Sequence, residues 1–177
     1  QQLSNANLRL AELNRRDGLT GLFNRQTLSE ELSRACARAE RSRQSLAVLM
    51  LDLDHFKQVN DRYGHLGGDA ALRHFCDQLR ACLREGDSVG RLGGEEFVVL
   101  LADADKDVAL AVCDRLRLSL RQHPANIDGQ ALVLSASGGV TGFLETDASM
   151  SDVLRRADLA LYQAKRAGRD CAVVLPS

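Results

Sequence analysis

Residues 91–101 read Arg91-Leu92-Gly93-Gly94-Glu95-Glu96-Phe97-Val98-Val99-Leu100-Leu101, and this stretch decides the fold. Two glycines between apolar, strand-like runs predict a tight hairpin, because glycine tolerates the positive φ angles that two-residue turns need. Two acids then open an apolar strand. Carboxylates at the mouth of a buried strand are costly unless a cation meets them, and a metal–triphosphate complex would do so. An ordinary surface hairpin with a solvated acidic edge would use the same letters, so the rest of the chain must choose.

Working outward, Leu46 to Leu51 is a continuous apolar run that ends in Asp52-Leu53-Asp54. Such a run predicts a central strand covered on both faces. Upstream, a helix is expected over about 27–43, with Leu28, Leu32 and Ala35 on one face. A second is expected over about 68–83, where Ala71, Leu72, Phe75, Leu79 and Leu83 recur at helical spacing. Short strands at 88–91 and 96–102 flank the hairpin, and a helix follows over about 105–122. A strand pair or long strand lies in 130–143, broken by Gly138-Gly139, then a helix over about 150–167 and a last strand from Cys171 to Leu175. The alternation predicts an α/β (α+β) sandwich, a mixed central sheet of about five strands flanked by helices. Residues 1–16 are polar and helix-forming, with Leu3, Ala6, Leu10 and Leu13 at 3-4-3 spacing. They read either as the stub of a dimerising linker or as a helix packing one stripe on its own domain, with 17–177 as the domain proper. The chain starts at Gln1, so it is expected to be a fragment of a longer protein whose upstream sensor is missing.

Composition removes several function classes. A net charge of −1 gives no broad electrostatic footprint for nucleic acid. Aromatic content of 4%, with no Trp, argues against base-stacking platforms. No apolar run reaches the ~20 residues that span a bilayer, and no signal peptide is visible. The expectation is a cytoplasmic domain without direct membrane contact, whether or not a parent protein is anchored. The five cysteines (36, 76, 82, 113 and 171) are scattered with no C-x-x-C pair, which suits reduced thiols acting as small hydrophobes. His74 and His123 lie on helical stretches and read as structural or solvent-facing, and His65 as loop scaffold. No histidine has H-E-x-x-H spacing.

Asp52 sits at the carboxyl end of the buried strand, where α/β sheets bind ligands. If the hairpin strand lies beside this strand, Asp52 and a glutamate converge. Carboxylate and phosphate oxygens together suit Mg²⁺, and paired metals can activate a hydroxyl and stabilise a leaving phosphate. Asp52 and Asp54 could instead cap the next helix. Next come His55-Phe56-Lys57, Asn60-Asp61 and Gly64-His65-Leu66-Gly67-Gly68-Asp69. Free amides at a helix start, with Lys57, can hold terminal phosphates. Asn60 and Asp69 offer the donor and acceptor pattern that guanine's Watson–Crick edge demands. Lys165 and Arg169 stand four apart on a late helical stretch and could be a solvated basic face. Arg84-Glu85-Gly86-Asp87 could be a surface salt bridge in a turn.

Taken in order, these motifs resemble the GGDEF domains, the diguanylate cyclases that join two GTP molecules into cyclic di-GMP. The resemblance runs from Asp17 to about Val174. It rests on Asp17-Gly18-Leu19-Thr20-Gly21-Leu22-Phe23-Asn24-Arg25, Asp52-Leu53-Asp54-His55-Phe56-Lys57, Asn60-Asp61, Gly64-His65, Gly68-Asp69 and Arg91 to Phe97. It closes with Ala157-Asp158, Tyr162 and Ala164-Lys165-Arg166-Ala167-Gly168-Arg169. It implies a sheet of the nucleotidyl-cyclase and polymerase-palm type. It also implies Mg²⁺ or Mn²⁺, two ions per site, held by Asp52, Glu95 and Glu96 with the Leu53 carbonyl. Glu96 would alternatively help deprotonate the attacking 3′-hydroxyl, and Asp52, Glu95 and Glu96 form the catalytic set. Asn60 and Asp69 would read guanine, Phe56 and Leu72 would line the base pocket, and His55, Lys57, Lys165 and Arg169 would complete the GTP site. Arg84 and Asp87 match the family's product-inhibition site, separated from Gly93 by the five residues 88–92. Each domain presents one GTP, so turnover implies a homodimer. One departure is visible: Asp170 stands where the family usually has Asn, and a carboxylate there could repel phosphates or point away. Two other readings remain, a GTP- or cyclic-di-GMP-binding regulatory module without turnover and an enzyme making a monomeric cyclic nucleotide.

Overall fold

The computed structural model describes residues 2–177, the side chains of 11–13 excepted. Helix α1 (Gln2–Leu13) leads into α2 (Arg25–Ser42), β1 (Leu46–Leu53), α3 (Phe56–Cys82), β2 (Ser88–Gly93) and β3 (Glu96–Ala102). Then follow α4 (Lys106–Gln122), β4 (Ala125–Ile127), β5 (Gln130–Leu132), β6 (Ala136–Gly142), α5 (Met150–Arg166) and β7 (Ala172–Val174). The main sheet has the order β2-β3-β1-β6-β7, with β1 antiparallel to β3 and β6, and β7 parallel to β6. The mixed five-stranded sheet expected from the alternation is therefore present, and β1, buried along all eight residues, is its centre.

Strand periodicity sorts the core into two layers. Ala47, Leu49, Leu51 and Leu53 face α3 and α4, where they meet Leu72, Phe75, Leu79 and Leu116. Leu46, Val48 and Met50 face α2 and α5, against Leu28, Leu32, Val153, Ala157 and Leu161. By the same alternation Asp52 continues the second row, toward α5. That parity places the carboxylate where a basic residue on α5 can reach it.

Three expectations are corrected. Strand β6 is not broken by Gly138-Gly139; it pairs with β1 through both of them. These glycines answer a packing demand: a Cβ on Gly139 would come within 2.3 Å of the Ala157 carbonyl oxygen and 2.4 Å of the Leu161 nitrogen on α5. The residues near 130 leave the main sheet altogether, as β5 pairs only with β4. Finally, α3 begins at Phe56 rather than Gly68, as one helix with a break at Gly64 (φ 74°, ψ 177°). Its ψ lies far outside the helical range, and glycine adopts such a conformation at little cost.

Along its described side chains, helix α1 does not lay a stripe on its own domain. Leu3, Leu8 and Leu10 are exposed, and Ala6 is too; the fourth seam residue, Leu13, lies outside the described side chains. A tight connection follows it: Asn24 N–H donates to the Arg15 carbonyl, and Arg91 N–H donates to Phe23, both at 2.9 Å. No described helix is long and apolar enough to cross a membrane.

Candidate active site

The site starts at the cross-strand pair of Asp52 and Glu96 on β1 and β3. Leu53 N–H donates to the Glu95 carbonyl one step further on, so Asp52 and Glu96 form the closer, non-hydrogen-bonded kind of pair, with Cβ atoms about 5 Å apart. The hairpin turn is Gly94-Glu95, with Gly94 at φ 49°. Glu95 thus occupies the turn itself, and Glu96 alone opens the strand. Arg91 fixes this turn. Its Nε donates to the Gly94 carbonyl at 2.8 Å, and its Nη1 reaches both oxygens of Asp17 at 3.2 Å. No local sequence signal connects Asp17 with Arg91, and the structure alone reveals that link.

Asp52 is buried, and Lys165 on α5 donates to its Oδ2 at 2.5 Å. Burial pushes the Asp52 carboxyl up to about 6 and Lys165 opposes this; Glu95 and Glu96 add to the rise. Lys165 itself titrates above its usual value: burial works against its charge, but the hydrogen bond to Asp52 and the three nearby acids prevail. One ammonium therefore undercompensates three carboxylates. That surplus of hard, negatively charged oxygen donors suits a divalent cation, and the Leu53 carbonyl lies on the same strand end. Among the described residues, no three His, Cys, Asp or Glu side chains already stand close enough to grip an ion.

Asp54 neither caps α3 nor faces that cluster. Its carboxylate accepts from Ser135 Oγ at 2.8 Å, Ser137 Oγ at 2.6 Å and Asp170 N–H at 3.0 Å, tying β1 to β6 and to the turn after α5. The cap position of α3 belongs to His55, which is exposed, left-handed at φ 57° and makes no side-chain capping bond. Asp52 does not cap either.

The break at Gly64 folds the second arm of α3 back on its first turn. Gly68 lies so close to Asn60 that a Cβ there would sit 1.8 Å from Asn60 Oδ1, with Phe56 Cζ at 3.3 Å. The bend therefore brings Asn60 and Phe56 beside Gly68, next to Asp69. Phe56, Asn60 and Asp69 are half-buried, Lys57 is exposed, and Leu72 belongs to the buried core against which Phe56 packs. A cleft of about 240 Å³ opens on another side of the first arm, lined by residues including His55, Arg62, Tyr63 and Leu134; it does not take in Asn60 or Asp69.

Of the two basic residues proposed from the late helix, Lys165 faces Asp52 rather than forming a solvated face. Arg169 lies beyond the end of α5, in a turn, and is exposed. Asp170 points at α4, accepting from Arg117 Nε at 3.0 Å and Arg121 Nη2 at 2.6 Å. Arg84 and Asp87 pair within one turn at 3.1 Å, and Arg84 also donates to the Ala102 carbonyl at 2.6 Å. Ala102 lies six residue steps from Glu96, about 20 Å along β3. His74 meets the His123 carbonyl at 2.6 Å, a structural contact, and His65 is exposed on the second arm of α3 rather than in a loop.

A mixed sheet that presents acids at the end of its central strand, beside a glycine-turn hairpin, defines a nucleotidyl-cyclase-like class. The sequence model described as diguanylate cyclase, GGDEF domain, matches residues 14–171, and the chain belongs to that family. The diguanylate cyclase DgcP of Pseudomonas aeruginosa is 45% identical over 154 residues, which are 87% of this chain and 23% of that protein. The cyclic di-GMP phosphodiesterase NbdA of the same species is 37% identical over 171 residues, covering 97% of this chain and 22% of its own length. The chain thus spans under a quarter of each of these two relatives. The GGDEF domain of DgcB from Caulobacter crescentus, solved in complex with c-di-GMP, has a TM-score of 0.87 at 31% identity, covering 92% of this chain and 94% of that one.

Proposed function

We propose that residues 17–177 form a diguanylate cyclase domain that condenses two GTP molecules into cyclic di-GMP and two pyrophosphates, with residues 1–16 as linker. The observation that carries the reading is the register that sets Asp52 against Glu96 at one strand end, with the Lys165 ammonium bound to Asp52. Asn60 and Asp69 would hold the guanine edge, and Phe56 and Leu72 its ring. His55 and Lys57 at the start of α3, with Lys165 and Arg169, would hold the phosphates. Asp52, Glu95, Glu96 and the Leu53 carbonyl would bind Mg²⁺ or Mn²⁺, two ions per site, which when bound would neutralise charge on the reacting phosphate and acidify the attacking hydroxyl.

The chain's own groups then do the following. Glu96 takes the proton of the 3′-hydroxyl belonging to the GTP on a facing copy. Lys165 releases Asp52 and follows the phosphate charge. The 3′-oxygen attacks the α-phosphate, the bond to pyrophosphate breaks, and a reciprocal second attack closes the ring. One domain holds one GTP, so a homodimer is needed for turnover. Arg84 and Asp87, remote from the strand end, would bind accumulated product and restrain the enzyme; Arg84 Nε and Nη2 are held by Asp87 and the Ala102 carbonyl, so the guanidinium would exchange these partners to turn its planar fork to phosphate or guanine. The reading places the domain in the cytoplasm.

A binding module without turnover is the second reading. It is favoured by the ion pair that occupies Asp52 and by a relative of 37% identity named as a phosphodiesterase. Mass-resolved chromatography after incubation with GTP and Mg²⁺, for wild type and Glu96→Ala, separates the readings. Cyclic di-GMP from wild type alone supports the cyclase. A 3′,5′-cyclic mononucleotide indicates ring closure within one GTP, and bound but unconverted nucleotide at dimer-forming concentrations supports the module.

A further inference from the structure

The turn after α5 is held in an unusual shape by contacts that the reaction described above does not use. Gly168, Arg169 and Asp170 have φ values of 114°, 64° and 44° in succession. Two consecutive non-glycine residues in the left-handed region are costly, and they persist only where the surroundings enforce them. Here the enforcement comes from three directions. Arg169 N–H donates to the Ala164 carbonyl at 3.1 Å, closing the end of α5. Asp170 N–H donates to the Asp54 carboxylate at 3.0 Å, anchoring the turn to the end of β1. The Asp170 side chain takes two guanidiniums from successive turns of α4, Arg117 and Arg121, which are 3.0 Å and 2.6 Å away. Burial works against the charge of Asp170, but the two arginines prevail and hold its carboxyl below the ordinary value.

The residue enclosed by these anchors is Arg169. Its guanidinium is exposed and has no hydrogen bond or ion pair among the described residues. We propose that Asp170 is a positioning residue: clamped between Arg117 and Arg121, it fixes the left-handed turn and aims Arg169 at the outer phosphates of the nucleotide. The inference rests on the GTP reading of the strand-end site. A carboxylate next to a phosphate-binding arginine would repel the ligand if it shared that arginine's direction. Turned onto α4 and neutralised there, it organises the arginine instead.

Calorimetric titration with 3′-deoxyguanosine triphosphate and, separately, GMP, both with Mg²⁺, tests this. Only the triphosphate carries the outer phosphates, while both carry guanine. Asp170→Ala should weaken the triphosphate about tenfold, the scale of one charge-assisted contact, and leave GMP within about twofold. Arg121→Ala should weaken the triphosphate in the same selective way. In an Arg169→Ala background neither change should weaken it further. Asp170→Asn, which keeps size and one acceptor, should fall between and serves where the alanine variant does not fold. Equal loss for GMP and triphosphate, an undiminished effect without Arg169, or unchanged triphosphate affinity overturns the inference while leaving the GTP reading intact. Wild-type protein that binds neither nucleotide overturns both.

Discussion

Replacing Gly139 with alanine should separate α5 from the sheet and damage stability and site together. The added Cβ would meet the Ala157 carbonyl oxygen at 2.3 Å, the Leu161 nitrogen at 2.4 Å and the Ala160 carbonyl carbon at 3.0 Å. Ordinary contact for a Cβ begins near 3.4 Å, so α5 would have to retreat by about 1 Å. The obstacles are backbone atoms, which no rotamer change removes. Overpacking of this kind costs about 1–3 kcal/mol, and we place it at the upper end because Val153, Ala157, Ala160 and Ala164, all fully buried, move with the helix. For a chain of this size about 3 kcal/mol lowers Tm by roughly 9 °C. The retreat also withdraws Lys165 from Asp52, so nucleotide affinity should fall with stability. The assay is calorimetric melting beside nucleotide titration, with Gly142→Ala as control. Its Cβ would meet only ordinary contacts, at 3.4 Å and 3.7 Å, so its Tm should stay within about 2 °C of wild type. Wild-type melting and affinity for Gly139→Ala would refute the close-approach explanation of β6.

Two other perturbations follow from the same physics. Arg156 holds both oxygens of the buried Asp147 carboxylate, at 2.9 Å and 2.8 Å, and also Thr141 and the Gly142 carbonyl. Arg156→Met should cost about 3 kcal/mol at pH 7 by leaving that carboxylate unpaired. Asp147 is depressed below 3.8, chiefly by the Arg156 hydrogen bond, so its stabilisation is present above the unfolded value and lost as pH falls through the folded one. The gap between wild type and variant in chemical denaturation should therefore close below about pH 4, and a gap unchanged with pH contradicts the assignment. Asp52 has the opposite sign. Its carboxyl lies at about 6, against 3.8 ordinarily, so its contribution to metal-free stability is full below about 3.8 and lost as pH rises through about 6. Lys165→Met removes the group that lowers this value, and the Asp52 carboxyl resonance in a ¹³C titration should move to a midpoint above about 6; a lower midpoint sinks the pairing.

How much was legible depended on the range of the signal. Strand β1 and the hairpin could be read because burial on both faces demands an unbroken apolar run and a two-residue turn demands glycine. The convergence of Asp52 and Glu96 followed once their strands were taken as neighbours. The glycines misled elsewhere. Gly64, Gly67 and Gly68 look like a loop, yet only Gly64 breaks the helix, while the other two let its arms touch. Gly138-Gly139 look like a strand end, yet they admit Cys113 and α5 on opposite faces. Asp54 looked like a cap because the preference of aspartate for that role is local, whereas its partners Ser135, Ser137 and Asp170 lie more than 80 residues away. Lys165 could not be told from a solvated face until the parity of β1 was set against α5.

The decisive experiment for the proposed cation–nucleotide site at Asp52 and Glu96 is a Mn²⁺ titration followed by electron paramagnetic resonance with 3′-deoxyguanosine triphosphate present. Wild-type protein should bind the ion–nucleotide complex with an affinity that falls about tenfold per pH unit below about pH 6, as protons compete for Asp52. Asp52→Asn and Glu96→Gln should each abolish the bound signal while melting at or above the wild-type temperature. Bound Mn²⁺ at wild-type affinity in both variants would contradict the account.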